Sequence, residues 1–267
     1  MLPSKKHLAS RAYFPRGLVQ PGKRPEKGLA TGYRFSADAL LLGCFLDPAP
    51  GQLLLDLGTG SGAVALAMLC RHPDLCAVGV DIQPEYVAAA SANAAKLGFS
   101  QNFTALCADI LASNLSPDLS LSLPQGPGSF DLALANPPYR QRDQGRLPPD
   151  PARLLALFEQ PETLAAFCRY AADALKTGGR FGIIFPAKRR DELLTKLSGA
   201  GLVPLRILRI LPHSGSPARV ILVEAVKGSV DSKLAHYQIE KQALILHAGP
   251  EQRFSAAALA FCPFLAR

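Results

Sequence analysis

Leu53-Leu54-Leu55-Asp56-Leu57 runs straight into Gly58-Thr59-Gly60-Ser61-Gly62 and then into Ala63-Val64-Ala65-Leu66-Ala67-Met68-Leu69-Cys70. Few folds accept that succession. The first run reads as a buried strand. Alternate glycines let the backbone turn sharply and let a ligand approach with no Cβ in the way. The helix that follows is apolar almost all round, so it must be buried on a sheet. Strand, tight turn and buried helix together are the first unit of a parallel α/β layer.

The same alternation continues. Ser36 is expected to cap a helix over roughly 37–46, ended by Asp47-Pro48-Ala49-Pro50-Gly51. Ala77-Val78-Gly79-Val80 reads as a second strand ending at Asp81. A helix over 84–97 opens with Pro84 and closes on Gly98. Strands are expected at 103–107 and 130–135, then a helix over 161–176, a strand over 180–185 and a helix over 189–199. Two strands near 203–210 and 219–226 have no helix between them, which predicts an antiparallel hairpin at one edge. The fold class is therefore α/β: a Rossmann-like doubly wound sheet, mostly parallel, with an antiparallel edge hairpin. Residues 1–30, rich in Pro, Gly and basic side chains, are expected to be a flexible arm. Residues 31–267 are then one domain. Residues 112–128 form a Ser/Leu/Pro/Gly-rich insertion without usable period.

In such sheets ligands sit at the carboxyl ends of the strands. Asp56, Asp81, Asp109 and Asn136 each fall at or just past such an end. A helix start after a glycine turn takes a pyrophosphate in dinucleotide enzymes. Here Asp56 precedes the glycines, and its carboxylate would repel that group. It suits an ammonium group instead, as carried by the methionine part of S-adenosylmethionine. Asp81 is placed to accept from both ribose hydroxyls. Asp109 can accept from an adenine amino group, with Ile82 and Ile110 as apolar walls. Gly58, Thr59, Gly60 and Gly62 form the cradle. A dinucleotide oxidoreductase would prefer G-x-G-x-x-G and has no use for Asn136.

Asn136-Pro137-Pro138-Tyr139 ends the fourth strand. An exocyclic amine on an aromatic base is a poor nucleophile, because its lone pair is delocalised into the ring. Two acceptors on its hydrogens pull the nitrogen toward tetrahedral geometry. The Asn136 side-chain oxygen and the Pro137 carbonyl are candidates for that pair. Two prolines fix local φ and remove competing N–H donors. Tyr139 can stack on a flipped base. An amide is no base, so Asn136 is expected to orient and polarise.

Charge bears on the partner. Residues 1–34 hold eight Lys/Arg against one acid, residues 35–134 two against nine, and residues 135–267 nineteen against eleven. An acidic middle flanked by basic blocks, with an overall charge of +8, suits a cationic cofactor and a polyanion such as RNA. The arm 1–30, the 140–153 loop with Arg140, Arg142, Arg146 and Arg153, and Lys188-Arg189-Arg190 are candidate phosphate contacts. A non-catalytic RNA-binding module is the competing class. No apolar run reaches membrane-spanning length, and Met1–His7 lacks the apolar core of a secretory signal. The six cysteines form no C-x-x-C pair and no cluster with histidine, so buried thiols rather than a metal site are expected. A reducing cytoplasm fits.

Asp56–Gly62 together with Asn136–Tyr139 resembles class I S-adenosylmethionine-dependent methyltransferases that modify amino groups, over roughly 50–226. Three further segments are similar to bacterial tRNA1(Val) adenine-N6 methyltransferases: Gly32-Tyr33-Arg34-Phe35-Ser36-Ala37-Asp38-Ala39-Leu40-Leu41-Leu42, Ile184-Phe185-Pro186-Ala187-Lys188-Arg189, and Pro217-Ala218-Arg219-Val220-Ile221-Leu222-Val223-Glu224-Ala225. That family methylates the adenine beside the valine anticodon. The resemblance implies S-adenosyl-L-methionine as cofactor, a tRNA substrate, no metal, and Tyr33 and Arg34 as pocket residues. A release-factor glutamine methyltransferase shares Asn-Pro-Pro-Tyr, but usually carries a helical substrate domain ahead of the cofactor motif. A guanine-N2 enzyme would use the same acceptors. The long arm 1–30 and the enlarged 112–128 loop depart from the family pattern.

Overall fold

The protein's structure, a computed structural model, describes residues 18–19, 36–111, 126–140, 158–228, 242–249 and 253–266. Tyr33, Arg34, Arg142, Arg146, Arg153, most of the arm 1–30 and most of the 112–128 insertion lie outside the described residues.

Strands β1 (Leu53–Leu57), β2 (Cys76–Asp81), β3 (Phe103–Cys107), β4 (Phe130–Ala135), β5 (Leu175–Pro186), β6 (Leu202–Leu211), β7 (Val220–Lys227) and β8 (Gln242–Ile245) form one sheet in the order β3-β2-β1-β4-β5-β7-β6-β8. β1 to β5 run parallel, and β7 is antiparallel to both neighbours. The order reverses between β1 and β4, so a crevice opens at the carboxyl ends of those two strands. Here Leu57 lies opposite Ala135. That register sets Gly58 and Asn136, the first residues past each strand, side by side.

Helices cover both faces. On one lie α1 (Ala37–Leu42), α2 (Ala63–Arg71), α3 (Pro84–Leu97) and α6 (Ala256–Phe261); on the other lie α4 (Thr163–Ala174) and α5 (Arg190–Gly199). Strand residues alternate between them. Leu54, Leu132 and Leu134 enter the first core, while Leu55, Leu57, Ala133 and Ala135 enter the second. Every residue of α2 except Arg71 is buried, as its uniform apolarity requires. α3 ends on Gly98 in the left-handed region (φ 83°), a conformation that glycine adopts without a Cβ penalty.

Two expectations need correction. The β6–β7 hairpin is not the edge: β8 pairs in parallel with β6 through Leu208–Leu211 and becomes the outer strand. Four residues, Gln242–Ile245, carry too little periodicity to be read as a strand from sequence. The arm is also not wholly free. Leu18 is buried in the first core, and Val19 exchanges two hydrogen bonds with the Asn93 side chain, at 2.6 and 3.0 Å. A single Leu-Val pair inside a basic, proline-rich segment gives no signal of docking. Among the described cysteines, Cys44, Cys70, Cys168 and Cys262 are buried, whereas Cys76 and Cys107 are exposed. Among the described residues no helix is long and apolar enough to cross a membrane.

Candidate active site

A cavity of about 290 Å³ opens at the β1/β4 switch. Gly58, Thr59, Gly60 and Ser61 form its floor. Gly58 and Gly60 both have positive φ (66° and 54°), so the turn depends on their lacking a Cβ. Three of the turn's donors are consumed locally. Thr59 N–H donates to Val80 O, Gly60 N–H to Asp81 Oδ2 at 2.8 Å, and Gly62 N–H to Thr59 O.

Asp56 completes this turn from within. Its Oδ2 accepts from Thr59 Oγ1–H at 2.7 Å and from Ala65 N–H at 3.1 Å, in the first turn of α2. The carboxylate thus sits at the helix start where a dinucleotide's pyrophosphate would bind. Its Oδ1 is buried with no hydrogen-bond partner among the described residues, and burial pushes the pKa up to about 7. Asp56 does not line the cavity. The geometry makes it the brace of the turn.

Asp81, Ile82, Asp109, Ile110, Asn136 and Pro138 all line the cavity. Asp81 is buried, accepts from Gly60 and Gln83 N–H, and has its pKa raised chiefly by burial. These contacts do not fill all of its acceptor positions. Asp109 Oδ1 takes Leu111 N–H at 2.8 Å. The acceptors Asp81 and Asp109, the apolar Ile82 and Ile110, and a floor in which the Thr59 and Gly60 N–H groups are already spent suit a nucleoside with a diol and an exocyclic amine. They do not suit a diphosphate. The residues present therefore fit S-adenosylmethionine.

Gly62, Pro137 and Tyr139 lie close by but do not line the cavity. The Tyr139 hydroxyl donates to Asp38 Oδ2 at 2.9 Å, and its ring meets Phe185 edge-on at 6.4 Å. Burial and the Asp38 charge push its pKa up to about 12. The Asn136 amide makes no hydrogen bond with any described residue, so both its groups stay available to a ligand.

Sequence reasoning missed much of the wall. Ser36 and Ala39 line the cavity from the start of α1, where Ser36 caps the helix. Gln83 and Tyr86 come from the start of α3. Gln83 is buried, and its Oε1 has no partner among the described residues. Phe158, Gln160, Thr163 and Phe167 close the far side. They carry no motif, although Phe158 reaches the site through a bridge with Arg140. Arg189 also departs from expectation. It ion-pairs with Glu159 at 2.5 Å and Glu192 at 2.6 Å, lies over the Phe185 ring, and reaches the Tyr139 carbonyl at 3.5 Å. It fastens this corner rather than facing a phosphate.

Comparison with known proteins agrees. A precorrin methyltransferase domain model matches residues 37–121, the cofactor half alone. A tRNA1(Val) (adenine(37)-N6)-methyltransferase of Porphyromonas gingivalis is 33% identical over 194 residues, 70% of this chain and 72% of that protein. Its namesake in Bacteroides thetaiotaomicron is 28% identical over 71% of this chain and 75% of its own length. A release factor glutamine methyltransferase of Caulobacter vibrioides is 32% identical, but the match spans only 59% of it. Among solved structures, a predicted O-methyltransferase of Agrobacterium tumefaciens superposes with a TM-score of 0.67 at 21% identity, over 86% of this chain and 97% of that one. That likeness concerns the fold.

Proposed function

This chain belongs to the tRNA1(Val) (adenine(37)-N6)-methyltransferase family, and on that premise we propose that it methylates N6 of an adenine in tRNA, the one adjacent to the anticodon of tRNA1(Val). It is an S-adenosylmethionine-dependent methyltransferase with the class I fold. The observation that carries the reading is that Asn136 and Pro138 line the same cavity as Gly58–Ser61, Asp81 and Asp109.

When bound, S-adenosylmethionine supplies an electrophilic methyl group on a sulfonium centre. The chain's own contribution is placement. Asp81 and Asp109 hold the nucleoside end, with Ile82 and Ile110 against its ring. Tyr33 and Arg34 belong to the same pocket in this reading, as do Gly62 and Thr59 through the turn. The Asn136 side-chain oxygen and the Pro137 carbonyl accept from the target amine and free its lone pair. Pro138 keeps the turn stiff, and Tyr139 offers its ring to the flipped base. The nitrogen's proton leaves late, to solvent. Residues 31–267 act as one catalytic unit, with the arm 1–30 and the 140–153 loop gripping RNA in the cytoplasm.

The glutamine-amide alternative uses the same acceptors. The tRNA1(Val) relatives are matched over 72–75% of their length and the release-factor relatives over 55–59%, which favours the adenine reading. Nucleoside mass spectrometry of tRNA from cells lacking this protein tests the reading. N6-methyladenosine beside the tRNA1(Val) anticodon should vanish, return with the intact chain, and stay absent with Asn136→Ala. Retention of that nucleoside in the deleted strain would refute the assignment.

A further inference from the structure

A second cavity, of about 240 Å³, is lined by Ala187, Lys188, Arg190, Arg209, Ala218 and Ile221, with Ile207 beside them. Its floor is apolar. Ile207 and Ile221 are buried on β6 and β7, where Arg209 is the register partner of Ile221. Its rim is cationic. Lys188 and Arg209 are exposed, and neither forms an ion pair with any described residue. Arg190 lines the same rim and is ion-paired with Asp191.

The groove is joined to the reaction site by covalent neighbours. Lys188 and Arg190 flank Arg189, whose guanidinium reaches the Tyr139 carbonyl. Ala218 precedes Arg219, which ion-pairs with Asp38, the acceptor of the Tyr139 hydroxyl. Ala187 N–H donates to Arg219 O at 3.1 Å and ties the two walls together. The basic tripeptide is thus divided: its central arginine is neutralised by two glutamates, and its outer pair opens onto the groove.

Resting on the RNA reading above, we propose that this groove seats the ribose-phosphate of a nucleotide flanking the target adenine. Lys188 and Arg209 meet the phosphate, and Ile207 and Ile221 carry the apolar face of the sugar or base. A base drawn out toward Asn136 leaves its neighbours on the strand close to Tyr139, and this groove is a basic recess at that corner among the described residues. Phosphate contacts fix register, so the groove would hold the strand while the base is extruded.

The test is the double variant Lys188→Gln/Arg209→Gln, assayed on an unmodified tRNA1(Val) transcript across a salt series, beside Lys96→Gln/Arg169→Gln, a control that removes the same two charges from α3 and α4. The expected loss falls on KM, a rise of about tenfold, with the log–log salt slope of binding shallower by roughly 1.4 for two lost single-strand contacts. S-adenosylhomocysteine should protect both variants from thermal unfolding as it does the wild type, which reports an intact cofactor half. If the groove variant matches the Lys96→Gln/Arg169→Gln control in KM and slope while the wild type methylates the transcript, the groove assignment falls and the tRNA reading stands. If the wild type methylates a glutamine peptide and no RNA, both fall.

Discussion

The Tyr139 hydroxyl donates to the buried Asp38 carboxylate at 2.9 Å, across 101 residues of chain. Arg219 ion-pairs with the same carboxylate. Arg189 reaches the Tyr139 carbonyl, and Ala187 N–H reaches Arg219 O. Four segments that carry the family resemblance, 32–42, 136–139, 184–189 and 217–225, therefore meet around one tyrosine. Asp38 and Arg219 do not line the cavity. Their role is to hold the Asn-Pro-Pro-Tyr turn in one orientation.

Tyr139→Phe tests that role. The ring and its edge contact with Phe185 remain, and Asp38 keeps Arg219, so the fold should persist. The lost bond to a charged acceptor is worth about 1.5–3 kcal/mol. A single-turnover methylation rate roughly tenfold lower is expected if about half of that value is felt in the transition state. In a double-mutant cycle with Asp38→Asn the two effects should be strongly non-additive. Rates that simply multiply would show that the tyrosine is not positioned through Asp38.

Asp56 predicts a pH dependence of stability. Burial raises its folded pKa to about 7, above the ordinary carboxylate value near 4 expected for the unfolded chain. A raised acid binds its proton more tightly when folded. Its contribution is thus fully present below about pH 4 and is lost as pH rises through about 7. Asp56→Asn removes this slope. The amide oxygen can still accept from Thr59 Oγ1–H and Ala65 N–H. Urea unfolding at pH 5 and pH 8 should show the wild type losing a few kcal/mol that the variant retains. Parallel behaviour of the two proteins would place the acid's pKa near its ordinary value.

Much of this site is legible in the amino-acid sequence alone. The ends of β1, β2 and β4 fall where apolar runs stop, and the β1/β4 register follows from doubly wound topology. That is why Gly58, Asp81, Asp109 and Asn136 reach one cavity. Side-chain direction is not legible in the same way. Tyr139 turns toward Asp38 because a buried carboxylate needs donors, and Asp56 turns into the glycine bend because the start of α2 needs an acceptor. Phe158, Gln160, Thr163 and Phe167 reach the wall through tertiary packing that no local pattern records. The same holds for β8 and for Leu18, whose partners lie far away in sequence.

Asn93 offers a test of the docked arm. It is fully buried, accepts from Val19 N–H, and donates to both Val19 O and Ser61 O. It therefore connects the arm to the glycine turn. Asn93→Asp cannot supply the amide hydrogens, and it places a charge where two carbonyls already point. Destabilisation of about 2–4 kcal/mol is expected, together with faster tryptic cleavage at Arg16. Unchanged proteolysis in a destabilised variant would mean that Leu18 alone anchors the segment.

Glu224 makes the opposite kind of prediction, one about strength without catalysis. It is buried on β7, between Arg180 of β5 at 3.2 Å and Arg206 of β6 at 2.9 Å. Each arginine continues to the loop after α1: Arg180 donates to Asp47 O, and Arg206 donates to Phe45 O while stacking over the Phe45 ring. One carboxylate thus aligns two cations that fasten three strands to that loop. Glu224→Ala leaves two guanidiniums facing each other across an apolar strand. Breaking a buried pair costs about 3–5 kcal/mol, and partial exposure of both arginines trims this to roughly 2–4. Glu224→Gln retains an acceptor and should lose about half as much. Glu192→Ala, which removes the more exposed of the two Arg189 partners, should cost less than about 1 kcal/mol. Urea denaturation of the three variants gives the ranking. If Glu192→Ala equalled Glu224→Ala, burial would not be what sets the strength of these pairs.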